Sequence, residues 1–226
     1  MALATANRSM SRTALSARPG KFWAWSGLVT FAVGFAFTWA PVLMGVSDAD
    51  SRDPDRLMTA LDTNSNLWLG RVSSGLGFLT VAALIVFATG YRRFLRTRLP
   101  DSLIPDVAYG GLLATAGALV IASVFRAMLF DSIDSYDNSV HAAFYALSWD
   151  VALAGWTLGF LAAAASAAAG SRGALPKWFA WTSAVLAGLA VVLAMVGLSF
   201  PAHMPVFIWL ICAAVVSLRA PEEAAA

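Results

Sequence analysis

One cysteine, two histidines and a charged fraction of only 12% set the limits for this 226-residue chain. The lone Cys212 excludes an internal disulfide framework and any cysteine-based metal site. His141 and His203 are too few to supply the paired axial ligands of a two-haem cytochrome b. With an aspartate they could complete a zinc site, but no motif spacing supports one, and two interfacial histidines is the plainer reading. The expected metal and cofactor complement is none. No phosphate-cradling glycine loop, Ser-His-Asp order or HExxH occurs. A net charge of +2 is too small to point to nucleic acid. A soluble domain carries about 25% charged residues, so the scarcity of charge itself speaks against one.

What replaces the charge is apolar sequence. Hydrophobic residues make up 59% of the chain, and the mean hydropathy is +0.72. They fall in blocks long enough to cross a bilayer, about 20 residues each. Residues 1–21 are polar and lack the apolar core of a signal peptide. Phe22 to Met44 is too long for a cleaved signal and reads as the first span. An acidic loop, 45–65, precedes span two at about 67–90, with N-cap chemistry offered by Asn64 to Asn66. The basic loop Tyr91 to Arg98 leads to span three, about 105–130, whose first turn suits Pro105 and Asp106. Asp131 to Ser139 is a second acidic loop. Span four covers about 140–168, Gly170 to Lys177 is a turn, and span five covers about 177–199. Pro201 and Pro205 bracket a tight turn into span six, about 205–218.

The expected fold is therefore all-α, a polytopic bundle of six transmembrane helices. Residues 22–218 form the membrane domain, with tails at 1–21 and 219–226. Eleven basic residues fall on the side of the two termini: Arg8, Arg12, Arg18 and Lys21, then the second and fourth loops, then Arg219. The opposite side has Arg52 and Arg56. This bias predicts cytoplasmic termini. An Ala- and Arg-rich, Lys-poor composition suggests a high-GC bacterium, hence its inner membrane.

Polar groups inside the spans are the functional candidates. Asp150 lies about nine residues in from His141, or roughly 13 Å at helical rise, and an intramembrane carboxylate is a functional hypothesis by default. Ala146, Leu147, Leu153 and Ala154 surround it on the helix, a mostly small side expected to face another helix or a cavity. Tyr145, Trp149 and Trp156 make an aromatic stripe on an adjoining face. Gly155 and Gly159 read as helix packing. Arg71 and Arg126 each lie about one turn inside the outer half of the membrane. Either could snorkel to headgroups or pair with Asp150. Pairing would keep the acid ionised; isolation would leave it protonated. Asp131, Asp134 and Asp137 are spaced to hold a divalent cation if helical, although a solvated loop is the plainer reading. Trp23, Trp25, Trp68, Trp178 and Trp181 read as interfacial anchors, and Trp39 and Trp209 fit the same role.

Six spans in a chain of this size, with Trp149-Asp150 inside one of them, resemble the small integral-membrane terpene cyclases of actinobacteria, including those of indole-sesquiterpenoid pathways. The chain equally resembles other actinobacterial six-span membrane proteins. The first resemblance implies an enzyme that starts cyclisation of a membrane-dissolved isoprenoid by protonating an alkene or epoxide. Asp150 would be the acid. Trp149, Trp156 and Tyr145 would line the pocket, and Arg71, Arg126 or His141 would tune the proton. The alternative expectation is a small transporter, channel or accessory subunit, with Asp150 as relay or helix-pairing residue. A homo-oligomer could supply a pathway that one chain lacks. No inverted repeat marks a transporter.

Overall fold

A computed structural model describes residues 21–131 and 135–220, and among them the chain forms helices and no strand. In chain order these are α1 (Phe22–Leu43), α2 (Asp48–Ser51), α3 (Pro54–Leu61), α4 (Asn64–Arg96) and α5 (Ile104–Asp131). They are followed by α6 (Asn138–Thr157), α7 (Phe160–Ser171), α8 (Lys177–Met195), α9 (Ser199–Ala202) and α10 (Met204–Arg219). Six stretches are long and apolar enough to cross a membrane: α1, α4, α5, α6 continued by α7, α8, and α9 continued by α10 from Phe200. This is the architecture of a multi-pass membrane protein.

Several boundaries differ from expectation. The second span continues beyond Gly90 to Arg96, because nothing in the basic stretch breaks a helix. The segment 45–65 is not an irregular loop. Ser47 and Asp50 form a capping box that starts α2. The Ser47 hydroxyl and backbone N–H both donate to Asp50, which holds its carboxyl below the ordinary carboxylate range. Asp53 caps α3 by accepting from the N–H groups of Asp55 and Arg56. Thr63, not Asn64 to Asn66, caps α4. Asn66 instead clamps three elements together, its amide donating to the carbonyls of Met44 and Ala60.

The fourth span is interrupted. Helical bonding slips at Leu158–Gly159, where the N–H of Gly159 reaches back only to Trp156 O. A side chain at Gly159 would strike Val206 of α10, its Cβ falling 2.5 Å from a methyl carbon. Gly155 meets Ala118 of α5 in the same way, at 2.6 Å. The Gly155/Gly159 pair thus packs the helix against two neighbours within the bundle.

The interior is built from small residues, aromatic rings and hydroxyls. Buried Thr30, Thr38, Thr115, Ser123 and Ser166 each donate to the carbonyl four residues earlier, so no hydroxyl enters the core unsatisfied at these positions. Tyr91 and Ser166 join α4 to α7 by a buried 2.7 Å hydrogen bond. Outward positions are apolar too, among them Phe78, Leu79, Ile121 and Val185. Both termini of the described chain lie at one end, where the ammonium of Lys21 donates to the carbonyls of Leu218 and Ala220. That end also holds Arg92, Arg93, Arg96, Arg98, Arg172, Lys177 and Arg219, and is called the basic end below.

Candidate functional site

The residues singled out from sequence separate into an outward carboxylate and an inward polar core. Ser148, Ala152 and Gly155, spaced by four and three, form the buried face of α6. Asp150 is two residues from both Ser148 and Ala152, hence about 200° round the helix from each. It is exposed, as are Ala143, Ala146, Leu147 and Ala154. Among the described residues it makes no hydrogen bond or ion pair. Of its four neighbours at three and four residues only Leu153 is buried, so most of this side turns out of the chain and not onto one of its own helices or a cavity. The reason is general: both faces of a membrane helix are apolar, so small size alone does not mark the inner one.

The aromatic stripe does not gather round Asp150 either. Trp156 is six residues on, about 120° away. It is 1% exposed, donates its indole N–H to Thr38 Oγ1 at 2.9 Å, and packs on Phe207 at 4.5 Å between centroids. Trp149 is half-buried and stacks on Phe200 at 5.9 Å. Tyr145 is half-buried against the small apolar cluster that includes Leu129 and Phe130. Arg71, expected beside the acid or in the headgroups, sits at the rim. Its Nε lies 3.9 Å from Asp131, and both side chains are more than half exposed. A pair that exposed is worth about 0–1 kcal/mol.

The histidines do not face out of the bundle. Both are fully buried. His141 lies in the first turn of α6 with Nδ1 3.2 Å from Asp137 O. The His203 ring sits between Phe200 and Phe207, each 5.5 Å away. Trp209, assigned to a membrane interface, is fully buried and meets Tyr91 edge-on at 5.9 Å. Trp25, Trp68, Trp178 and Trp181 are exposed near helix ends, as anchors would be. Of the acidic triplet, Asp134 lies outside the described residues. Among those described, no group of three His, Cys, Asp or Glu side chains could hold a metal ion.

Arg126 is the residue whose role the sequence leaves least defined. It is 1% exposed. Its Nη1 donates to Phe37 O at 2.5 Å, and its guanidinium lies over the Phe37 ring at 4.1 Å. Phe37 is four residues before Pro41, which sits inside α1. A proline has no N–H, so the Phe37 carbonyl has no helical donor. Arg126 supplies one from α5. Among the described residues its Nη2 has no hydrogen-bond partner, and no carboxylate pairs with it. Sequence reading treats Arg126 as a snorkelling side chain or a partner for Asp150. The signal it misses is Pro41, which frees an acceptor within an apolar span.

Four grooves on the surface are lined from the basic half of the bundle, by residues such as Trp23, Arg93, Arg98, Lys177 and Trp181. None of the four includes Asp150, Arg126, Trp149 or Trp156. No family model matches the chain, and no curated protein or solved structure matches it significantly.

Proposed function

We propose that this chain is an accessory membrane subunit that joins its assembly through the outward face of α6, with Asp150 as the pairing residue. One observation carries the reading: Asp150 lies well inside a membrane-length helix, exposed and without a partner among the described residues. A carboxylate in that position facing lipid costs about 2.5–3.5 kcal/mol on insertion scales. The two arginines near the spans are placed elsewhere, because Arg126 is committed inside the bundle and Arg71 lies at the rim. A transmembrane helix bearing Lys or Arg at matching depth would remove that cost. Ala143, Ala146 and Ala154 would let its backbone approach closely. The basic end would face the cytoplasm of a bacterial inner membrane.

The test uses the purified chain in lipid bilayers with a labelled polyleucine transmembrane peptide, with or without a single central Lys. The Lys peptide is expected to associate more strongly, and Asp150→Asn to weaken that association about three- to thirty-fold. Equal association of both peptides with both proteins would refute the pairing role.

Proton-initiated cyclisation of an isoprenoid is a second reading. It is favoured by the same lateral exposure, since a bilayer-dissolved substrate reaches Asp150 without a channel. It asks more of the site, because Trp156 faces the bundle interior. On this reading Asp150→Asn abolishes turnover of a farnesylated or epoxidised substrate while expression is unchanged. Retained turnover in that variant would remove it.

A further inference from the structure

Two grooves at the basic end meet along a single ridge. Thr89 and Arg93 on the last turns of α4 and Thr97 at its C-cap, spaced by four, line both. On one side the groove encloses about 490 Å³ and its walls are apolar: Trp23, Ile85, Val86 and Phe94. On the other side it encloses about 390 Å³ and is lined by Arg92, Arg96 and Tyr109. An apolar channel and a cationic one therefore run side by side.

The construction of each is specific. Gly90 has no side chain, and a Cβ there would collide with the Trp23 indole. Its absence lets the ring lie against the α4 backbone as one wall of the apolar groove. From Ile85 to Arg93 the groove descends eight residues, about 12 Å. Across the ridge, Asp106 on α5 fixes two of the arginines. Arg92 donates to it at 2.8 Å and Arg96 at 2.6 Å. Arg92 also lies 5.0 Å over the Tyr109 ring. Arg93, exposed on the ridge between the grooves, has no ion-pair partner among the described residues. One carboxylate serves two guanidiniums and the third, Arg93, has none, so the cluster has unmatched positive charge at the end of a membrane-length helix.

We propose that this double groove binds one anionic glycerophospholipid of the phosphatidylglycerol class. An acyl chain occupies the Trp23 side, the phosphate rests on Arg93, and the polar headgroup lies over Arg92 and Arg96. Basic pockets between transmembrane helices suit such headgroups. The commitment to a lipid over a free anion comes from the adjoining apolar groove, which a soluble phosphate would leave empty.

Native mass spectrometry of the detergent-purified chain, titrated with phosphatidylglycerol or phosphatidylcholine of equal chain length, tests this. Phosphatidylglycerol is expected to bind preferentially. Arg93→Gln should weaken it about five-fold and Arg56→Gln, at the opposite end, should not. Val86→Trp, which fills the apolar groove and leaves every arginine in place, should weaken both lipids. Glycerol phosphate without acyl chains should not displace the bound lipid. The proposal is overturned if the two lipids bind equally, if Arg56→Gln matches Arg93→Gln, if Val86→Trp changes neither lipid, or if glycerol phosphate competes as well as the lipid.

Discussion

Combining Pro41→Ala with Arg126→Met is expected to give a protein about 1–3 kcal/mol more stable than the sum of the two single effects allows. In the wild-type chain the Phe37 carbonyl loses its helical donor to Pro41 and recovers one from Arg126 Nη1. Arg126→Met alone leaves that buried acceptor empty. It also removes the ring contact with Phe37. Pro41→Ala alone returns an N–H at position 41, which then competes with the guanidinium for one carbonyl. In the double variant α1 closes its own bond and the buried cation is gone. Methionine fills much of the same volume without a charge to desolvate. The measurement is a double-mutant cycle of reversible unfolding in mixed micelles. Additive effects would mean that the carbonyl and the guanidinium act independently.

The second large effect lies one layer away. Gly77→Ala is expected to destabilise the bundle by about 1–3 kcal/mol, and Gly77→Leu to prevent its assembly. An alanine Cβ at this position would collide with Ser123 Oγ and lie 2.8 Å from the Phe37 ring. Three helices, α1, α4 and α5, converge there. The opposing term is smaller, because replacing a helical glycine by alanine gains only about 1 kcal/mol. Gly75, two residues away, provides the control. Nothing lies within 4 Å of its Cβ position, so Gly75→Ala should be neutral or stabilising. Thermal unfolding of both variants in the same detergent decides it. Gly77→Ala at wild-type stability would mean that the contact between α4 and α5 is loose.

Sequence carried the architecture well and the interior poorly, for one physical reason. Span count depends on long apolar runs, and these are unambiguous against a charged fraction of 12%. Which side of a span faces inward depends on contrast between its faces, and a bilayer removes that contrast. Asp150 illustrates the loss, since its small neighbours fit a packed face or a lipid-facing one equally well. Trp209 and the two histidines illustrate the reverse. Their type and place near span ends suggest an interface, yet the fold buries all three in the core. Capping is more legible, because it depends on local chemistry. Asp106 takes its place in the first turn of α5, as its sequence position next to Pro105 suggests. The break at Leu158–Gly159 has no proline to announce it, and its glycine fits the packing motif equally well.

The clasp between Lys21 and the carbonyls of Leu218 and Ala220 sets an order on biosynthesis. α1 packs directly on α10, the helix farthest from it in chain order among the described residues. Until α10 emerges, the flank of α1 that it covers lacks its neighbour. Closure of that seam therefore waits for α10, and the newborn protein holds it open in the membrane while the intervening helices are made.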